Sequence, residues 1–534
     1  VFSILPWMLL LLPLAHFSAA LLGGVQPATR MGWRLAASAC WLALLAALAT
    51  ALLLLTDVWL SLDWVQAGLR HNGGGLPLRV DTLSVAMAGL IAILGLVVTR
   101  FSSHYLHGEA NHQRFQRWLS ATLGSVAVTI LSDHFLLLLA GWISTSLCLH
   151  QLLLFYRHRP RAQLAAHKKF LSSRVGELCL LTAFLLLYQQ HDSFLISTVL
   201  AAYDQASAGS AWQTQTAAVL IAVAALLKCA QLPLHGWLMQ VMEAPTPVSA
   251  LLHAGIINLG GFLLLLLAPV VEQSVGALWL LLVVAGITTL VASLSMMTRI
   301  SVKVMLAWST CAQMGFMLVE CALGLYELAL LHLLAHSIYK ANAFLNAGNA
   351  VQDHLRVQLG RDPARQQRRQ PVSYLLALLA ALLMLSAIVW WLPQEHHPAM
   401  LLMLAFATSG WLLEAGAARG LSSLWLFAGG ALLVSLYFIW QRVFVDLMPT
   451  PAVTIADDLT VWIWLITLLL VFFGAFVALR CLPQKRPTQL LFLYLYGGLY
   501  LDEWMTRLSM RLWPRPVSGS ESAQPALTID EVRS

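Results

Sequence analysis

The sequence predicts an all-α, polytopic membrane protein with about 14–15 transmembrane helices, and three features of its 534 residues point there. Apolar runs of about 20 residues, the length that crosses a bilayer core, recur from one end of the chain to the other. Charged residues make up 10% of the chain and hydrophobic ones 59%, where a soluble domain carries roughly 25% and 45–50%. The basic residues gather in alternate loops, as the positive-inside rule requires of a multi-pass chain.

In order, the candidate spans lie near 4–22, 35–60, 80–99, 115–131, 135–156, 171–188, 214–232, 247–268, 276–297, 302–322, 325–349, 373–392, 399–416, 420–440 and 459–479. The first is read as a retained helix and not a cleaved signal, because the same pattern continues behind it. Odd-numbered loops and their flanks carry Arg30 and Arg34, Arg114 and Arg117, then Arg157, Arg159, Arg161, Lys168 and Lys169. They continue with Arg299, the five arginines between Arg356 and Arg369, and Arg419. The even loops near 189–213, 269–275 and 393–398 hold no Lys or Arg. Since Lys and Arg mark the cytoplasmic side, the N-terminus is expected outside and the C-terminal tail in the cytoplasm. Arg70, Arg79 and Arg442 run against the pattern. The formal charge of +7 therefore reflects topology and calls for no nucleic-acid partner. Two segments are not spans: Gln352–Gln370 is a charged connection, and the polar stretch after Pro514 is expected to be disordered. Between them, Gln489–Trp504 is aromatic and amphipathic, suited to the membrane interface or to a partner.

The stretch from Lys228 to Gly261, KCAQLPLHGWLMQVMEAPTPVSALLHAGIINLGG, concentrates the unusual chemistry. Lys228 ends a long apolar run, which places an ammonium group at membrane depth, where an ionisable residue points to function. The rival reading lets the lysine snorkel toward water, but the apolar pattern continues past it to Leu234. Pro233, Pro245 and Pro247 then break the helical pattern, each removing an N–H donor. Such a break is tolerated only where protein buries it or it lines a wet cavity. Glu243 and His253 flank it, a carboxylate and an imidazole beside a buried cation.

Further along, ELALLHLLAHSIYKANAF sets His332, His336 and Lys340 four residues apart, one stripe of a helix about 12 Å long. A lone i,i+4 histidine pair could bind a metal, but no acidic third ligand is near in sequence, and no metal is assigned here. An imidazole pair ending at a lysine suits proton relay; imidazoles satisfied by neighbouring helices are the plainer alternative. Lys303 and Glu320, in the preceding span, extend the same polar line. Arg174 and Glu177 stand one helical turn apart and can pair, whether for structure or for function. Asp133 sits between the fourth and fifth spans. The seven cysteines are scattered without a CxxC and are read as small buried hydrophobes. Walker, nucleophile-elbow, Rossmann and CxxCH patterns are missing, which leaves an ion gradient or a partner as the energy source.

KCAQLPLHGWLMQVMEAPTPVSALLHA, TRISVKVMLAWSTCAQMGFM and ELALLHLLAHSIYKANAFLNAGN resemble the proton-conducting membrane subunits shared by respiratory complex I and Mrp-type cation/proton antiporters. The resemblance implies two inverted five-helix repeats, each with a broken helix, and a line of buried Lys, His and Glu. It divides the chain into N-terminal helices (1–110), a first repeat (111–268), a second, degraded repeat (269–416), C-terminal helices (417–480) and an interfacial segment with a disordered tail (481–534). It matches Lys228 to the broken-helix lysine, His253 to the next helix, and His332, His336 and Lys340 to the central relay. Glu177 and Asp133 fall on acidic positions of the family. Ile143 stands where the family carries a glutamate that pairs with the broken-helix lysine. SYLLALLAALLMLSAIVWWLP, expected to form the second broken helix, lacks a lysine.

HGWLMQVMEAPTPVSALLHAGIINLGGF is similar to the DabB family, membrane subunits of an inorganic-carbon accumulation system in bacteria. That resemblance implies a subunit of the bacterial inner membrane, conducting H⁺ or Na⁺. It also implies an obligate DabA-like partner that holds zinc and hydrates CO₂ to bicarbonate, with no cofactor in this chain. An Mrp-type Na⁺/H⁺ antiporter, a complex I-like pump subunit and a non-conducting anchor for a peripheral enzyme are the alternatives.

Overall fold

Helix starts along this chain are written in caps and prolines. Asp81 and Ser84 form a reciprocal capping box, Asp81 Oδ1 accepting from Ser84 N at 2.8 Å and Ser84 Oγ from Asp81 N at 2.9 Å. Pro160 occupies a first-turn position, where its missing N–H costs nothing, and Ser274 caps through its hydroxyl. In the computed structural model the described residues are 5–23, 29–60, 78–204, 211–349, 371–391, 423–445 and 458–513, with isolated positions between.

The helices that follow are α1 (Leu5–Leu22), α2 (Thr29–Leu60), α3 (Thr82–Tyr105), α4 (His112–Leu131), α5 (Phe135–Leu153), α6 (Pro160–His191) and the short α7 (Ile196–Asp204). Next come α8 (Trp212–Lys228), α9 (Gly236–Gln240), α10 (Thr246–Leu251), α11 (Leu259–Leu266) and α12 (Ala268–Val271). The chain continues with α13 (Val275–Met296), α14 (Val302–Ala322), α15 (Tyr326–Leu345), α16 (Pro371–Trp391), α17 (Ser423–Val445), α18 (Leu459–Cys481), α19 (Arg486–Tyr496) and α20 (Glu503–Leu512). Among the described residues there is no strand beyond two isolated bridges. Among the described residues eight stretches are long and apolar enough to cross a membrane by length and composition, seven of them in single helices of this series and the eighth, Thr246–Leu266, running from α10 through α11, so the chain is a multi-pass membrane protein. The span expected near 399–416, the Arg356–Arg369 connection and the polar tail fall almost wholly outside the described residues.

Packing is between neighbours: α1 against α2 and α4, α2 against α3, α4 against α5, α6 against α8, and α13 against α14. The core is thickest around α8, α10 and α11, the last of these completely buried. At the other extreme, α18 buries only Val461 and Leu465, an apolar surface suited to lipid.

Two expectations change. The sixth span is a longer helix than expected, and it takes Lys168 and Lys169 inside: at 0% and 4% exposed they are core residues and not loop charges. The stretch expected to form a second broken helix is one continuous helix, α16. The amphipathic C-terminal segment packs on the bundle, α19 on α13 and α20 on α6.

Arg299 fixes that segment. It donates to the carbonyls of Leu495 at 2.9 Å and Tyr496 at 2.7 Å, which end α19, and stacks on Trp308. Arg299→Ala is expected to weaken docking of α19 by about 1–2 kcal/mol, the lower part of the range for charge-assisted hydrogen bonds because the site is partly open to solvent. Limited proteolysis between Cys481 and Arg486 would accelerate; an unchanged cleavage rate would rule out the latch.

Candidate functional site: a polar line through a broken helix

The helix ending at Lys228 stops because the next residues cannot continue it. Ala230 takes a left-handed conformation, φ 51°, a region disfavoured for any residue with a Cβ. The backbone groups thus released find partners across the bundle. Leu232 N donates to Thr288 Oγ1 at 3.1 Å, and Gln231 Nε2 donates to the Cys229 and Cys311 carbonyls at 2.9 and 3.4 Å. Cys311 Sγ donates to the Ala230 carbonyl at 3.1 Å. This is how non-helical backbone survives at membrane depth. Pro245 and Pro247 do not interrupt a helix but start one: Pro245 precedes α10 and Pro247 lies in its first turn. A second irregularity, which no proline announces, is the π turn Leu252–Ile256 that carries His253; such turns recur at functional sites.

The π turn separates two clusters. On one side lies a cavity lined by Trp142, Lys169, Ser172, Lys228 and Trp237, with Leu252, Ile256 and Ile257 as its wall. The Lys228 ammonium sits over the Trp142 ring, 4.1 Å from the centroid, a contact that partly replaces lost hydration. Lys169 Nζ donates to the Ser146 carbonyl at 2.6 Å and to its hydroxyl at 2.7 Å. Arg174 pairs with Glu177 at 2.7 Å and touches Ser146 Oγ at 3.4 Å. Glu177 is within electrostatic reach of both lysines.

On the other side, His253 stacks on Phe344 at 4.4 Å between centroids. His336 is within electrostatic reach of His253, His332 and Lys340, and both of its ring nitrogens are buried without a protein partner. His332 bonds Glu320 through Nδ1 at 3.0 Å, and its ring is 6.0 Å from that of His336. Lys340, fully buried, donates to Ser309 Oγ at 2.7 Å and to the Leu306 carbonyl at 3.2 Å. Asn258, just past the π turn, donates to Ser337 Oγ at 2.6 Å, on the helix that carries His336.

The remaining candidates lie at the ends or apart. Lys303, near the start of α14, donates to Thr246 Oγ1 at 2.9 Å. Glu243 faces Arg159 and Arg161 at 3.6 and 3.9 Å, a partly exposed pair of little energetic weight. Asp133 is spent on structure, accepting from Ser197 N at 2.9 Å and Ser197 Oγ at 2.6 Å at the start of α7. Pro233 lies in the non-helical link between α8 and α9.

Sequence reasoning missed Lys169 as a site residue, along with Trp142, Ser146 and Asp502. The signal for Lys169 was Pro160: a helix that starts there is two turns old at residue 168. Asp502 carried none, because it arrives from the far end of the chain. Its carboxylate accepts from the fully buried Lys168 at 2.5 Å and from Gln240 Nε2 at 3.1 Å. Burial pushes the Asp502 carboxyl up from its ordinary value, against the pull of Lys168. Among the described residues no three of His, Cys, Asp and Glu gather as metal ligands do.

Comparison with known proteins places this geometry. Residues 132–389 match the family described as "NADH:quinone oxidoreductase/Mrp antiporter, TM", and residues 71–116 the N-terminal part of complex I chain 5. A protein of Hydrogenovibrio crunogenus named "Probable inorganic carbon transporter subunit DabB" is 42% identical over 515 residues, covering 95% of this chain and 94% of its own length. Another of Halothiobacillus neapolitanus, named "Probable inorganic carbon transporter subunit DabB2", is 36% identical over 85% of each chain. The Mrp complex from Dietzia sp. DQ12-45-1b shares the fold, with TM-score 0.55 and 21% identity over 94% of this chain and 55% of that one. The chain belongs to the DabB family, within the superfamily of antiporter-like membrane subunits that also serve Mrp complexes and respiratory complex I.

Proposed function

We propose that this chain is a transporter subunit, not an enzyme: it conducts a cation, H⁺ or less readily Na⁺, and couples that flow to inorganic-carbon uptake. The names of its relatives support the carbon substrate. The observation that carries conduction is the axial spread of buried and half-buried ionisable groups. Lys303 and Glu320 lie 17 residues apart on α14, about 26 Å at 1.5 Å per residue, close to the roughly 30 Å of a bilayer core. Beside them, Lys228 and Glu177 on one side and His253, His336, His332 and Lys340 on the other provide further titratable groups, with His332 bonded to Glu320. Buried charge of this kind is costly unless it serves function.

In this reading a proton moves between Glu320, His332, His336 and Lys340, and the change in charge at Lys340 is felt by His253 and the π turn. The energy is delivered to a zinc-holding, DabA-like partner that hydrates CO₂ to bicarbonate on the cytoplasmic face of the bacterial inner membrane. With the N-terminus periplasmic and the tail cytoplasmic, the Arg299 latch and Asp502 would face that partner.

The test is transport in cells that lack other carbon-uptake routes, with the chain expressed beside its zinc partner. Lys228→Ala and Lys340→Ala are each expected to abolish bicarbonate accumulation at normal membrane levels of the protein. Accumulation that survives both substitutions would reduce the chain to an inert anchor, a reading favoured locally by α16, which holds no Asp, Glu, His, Lys or Arg. Replacing external Na⁺ by choline separates the ions: uptake is expected to persist, and its collapse would assign Na⁺.

A further inference from the structure

The cavity beside the broken helix contains more positive charge than the protein neutralises. Lys169 and Lys228 line it, and the one carboxylate within their electrostatic reach among the described residues, Glu177, is already held by Arg174 at 2.7 Å. Lys228 has an aromatic face where a counter-charge would be expected. An excess of buried cations is unfavourable unless it is compensated.

The polar side chains around the space all offer a donor, and only the hydroxyls of Ser172 and Ser173 can also accept. Lysine ammonium and indole N–H groups donate and cannot accept. The indole nitrogen of Trp237 and the hydroxyl of Ser172, in residues 5% and 3% exposed, line this cavity and have no protein hydrogen-bond partner. The space accommodates one or two water-sized particles and little more. Donors on several sides, surplus positive charge and a space of atomic dimensions are the requirements of a halide-sized anion, not of a cation.

We propose that the cavity between Lys169 and Lys228 binds a small monovalent anion of about the size of chloride, held by the two ammonium groups, the Trp237 indole N–H and the Ser172 hydroxyl. A bound anion supplies the mobile negative charge that this helix pair lacks as a fixed side chain. Its occupancy then sets how readily Lys228 carries charge. The site stands on its own geometry: a chain that fails to conduct cations could still bind the anion, so the two ideas fail separately.

The full-length chain in lipid nanodiscs, titrated with sodium chloride against sodium gluconate at constant ionic strength, is expected to show a saturable rise in thermal midpoint of roughly 2 °C or more. Trp237→Phe keeps the ring and deletes the N–H, and is expected to weaken chloride binding about tenfold. Ser172→Asp places a fixed carboxylate in the space and should eliminate the chloride effect altogether. Bicarbonate competing with chloride would extend the site to the carbon substrate; bicarbonate without effect would confine it to halides, and both outcomes require the site. Identical melting in chloride and gluconate, or a chloride response that survives both substitutions, would mean that the space holds water only. Bromide soaked into crystals of the unaltered chain gives a direct check, with an anomalous peak expected between Lys169 and Lys228 and its absence overturning the proposal.

Discussion

Lys340→Met is expected to eliminate ion-coupled transport while leaving the protein folded and at least as stable. Lys340 is fully buried and makes its hydrogen bonds to Ser309 Oγ and the Leu306 carbonyl, both neutral. Methionine occupies a similar volume without a charge to desolvate, and replacing buried ionic groups by apolar ones of like size is commonly neutral or stabilising. The transport loss should reach at least about a hundredfold, since proton-transferring side chains contribute roughly 10²–10⁴. Lys340→Arg sharpens the test, because guanidinium retains the charge but does not release its proton in a protein. Proteoliposome flux near zero in both variants, with melting temperature retained, is the expected pair of results. An active Lys340→Arg would show that the lysine acts by charge alone, and proton transfer at this position would have to be abandoned.

Asp502→Ala is expected to be the most destabilising single change in the C-terminal segment. It strips the buried Lys168 ammonium of its carboxylate and leaves Gln240 without its acceptor. Removing one partner of a buried pair costs about 3–5 kcal/mol; Asp502 is 27% exposed at its side chain, so solvent screening should bring this below that range, to roughly 2–3 kcal/mol. Most of the loss should return in the double variant Lys168→Met/Asp502→Ala, which removes the orphaned charge. A mutant cycle with coupling below about 0.5 kcal/mol would show that the two residues do not depend on each other. Gly236 makes the approach possible: a Cβ there would overlap the Asp502 carboxylate. Gly236→Val is accordingly expected to expel the segment and to copy the proteolytic sensitivity of Arg299→Ala, whereas undisturbed cleavage would contradict this packing.

The membrane class, the order of the helices and most of their limits were legible in the sequence, because hydrocarbon forces every backbone polar group into a helix and makes each span a run of apolar residues. His332, His336 and Lys340 were legible for a similar reason: spacing by four puts residues on one helical face whatever surrounds it. The break after Lys228 was announced by Pro233. The π turn at His253 was not, since no residue type requires one. Lys168 and Lys169 looked like loop charges because a double lysine at the edge of an apolar run ordinarily meets water. Only the bundle, by packing α6 against α5 and α20, reveals that both are inside.

What the sequence determined by itself was local: which segments are helical, which of them cross, and which titratable residues occur at membrane depth. Tertiary structure alone decided how those residues are grouped. It engaged Asp133 in a cap and Glu243 in a surface pair, joined Glu320 to His332, and brought Asp502 to Lys168 across more than three hundred residues. Charge interactions depend on distance and on exclusion of water, and neither is a property of position along the chain.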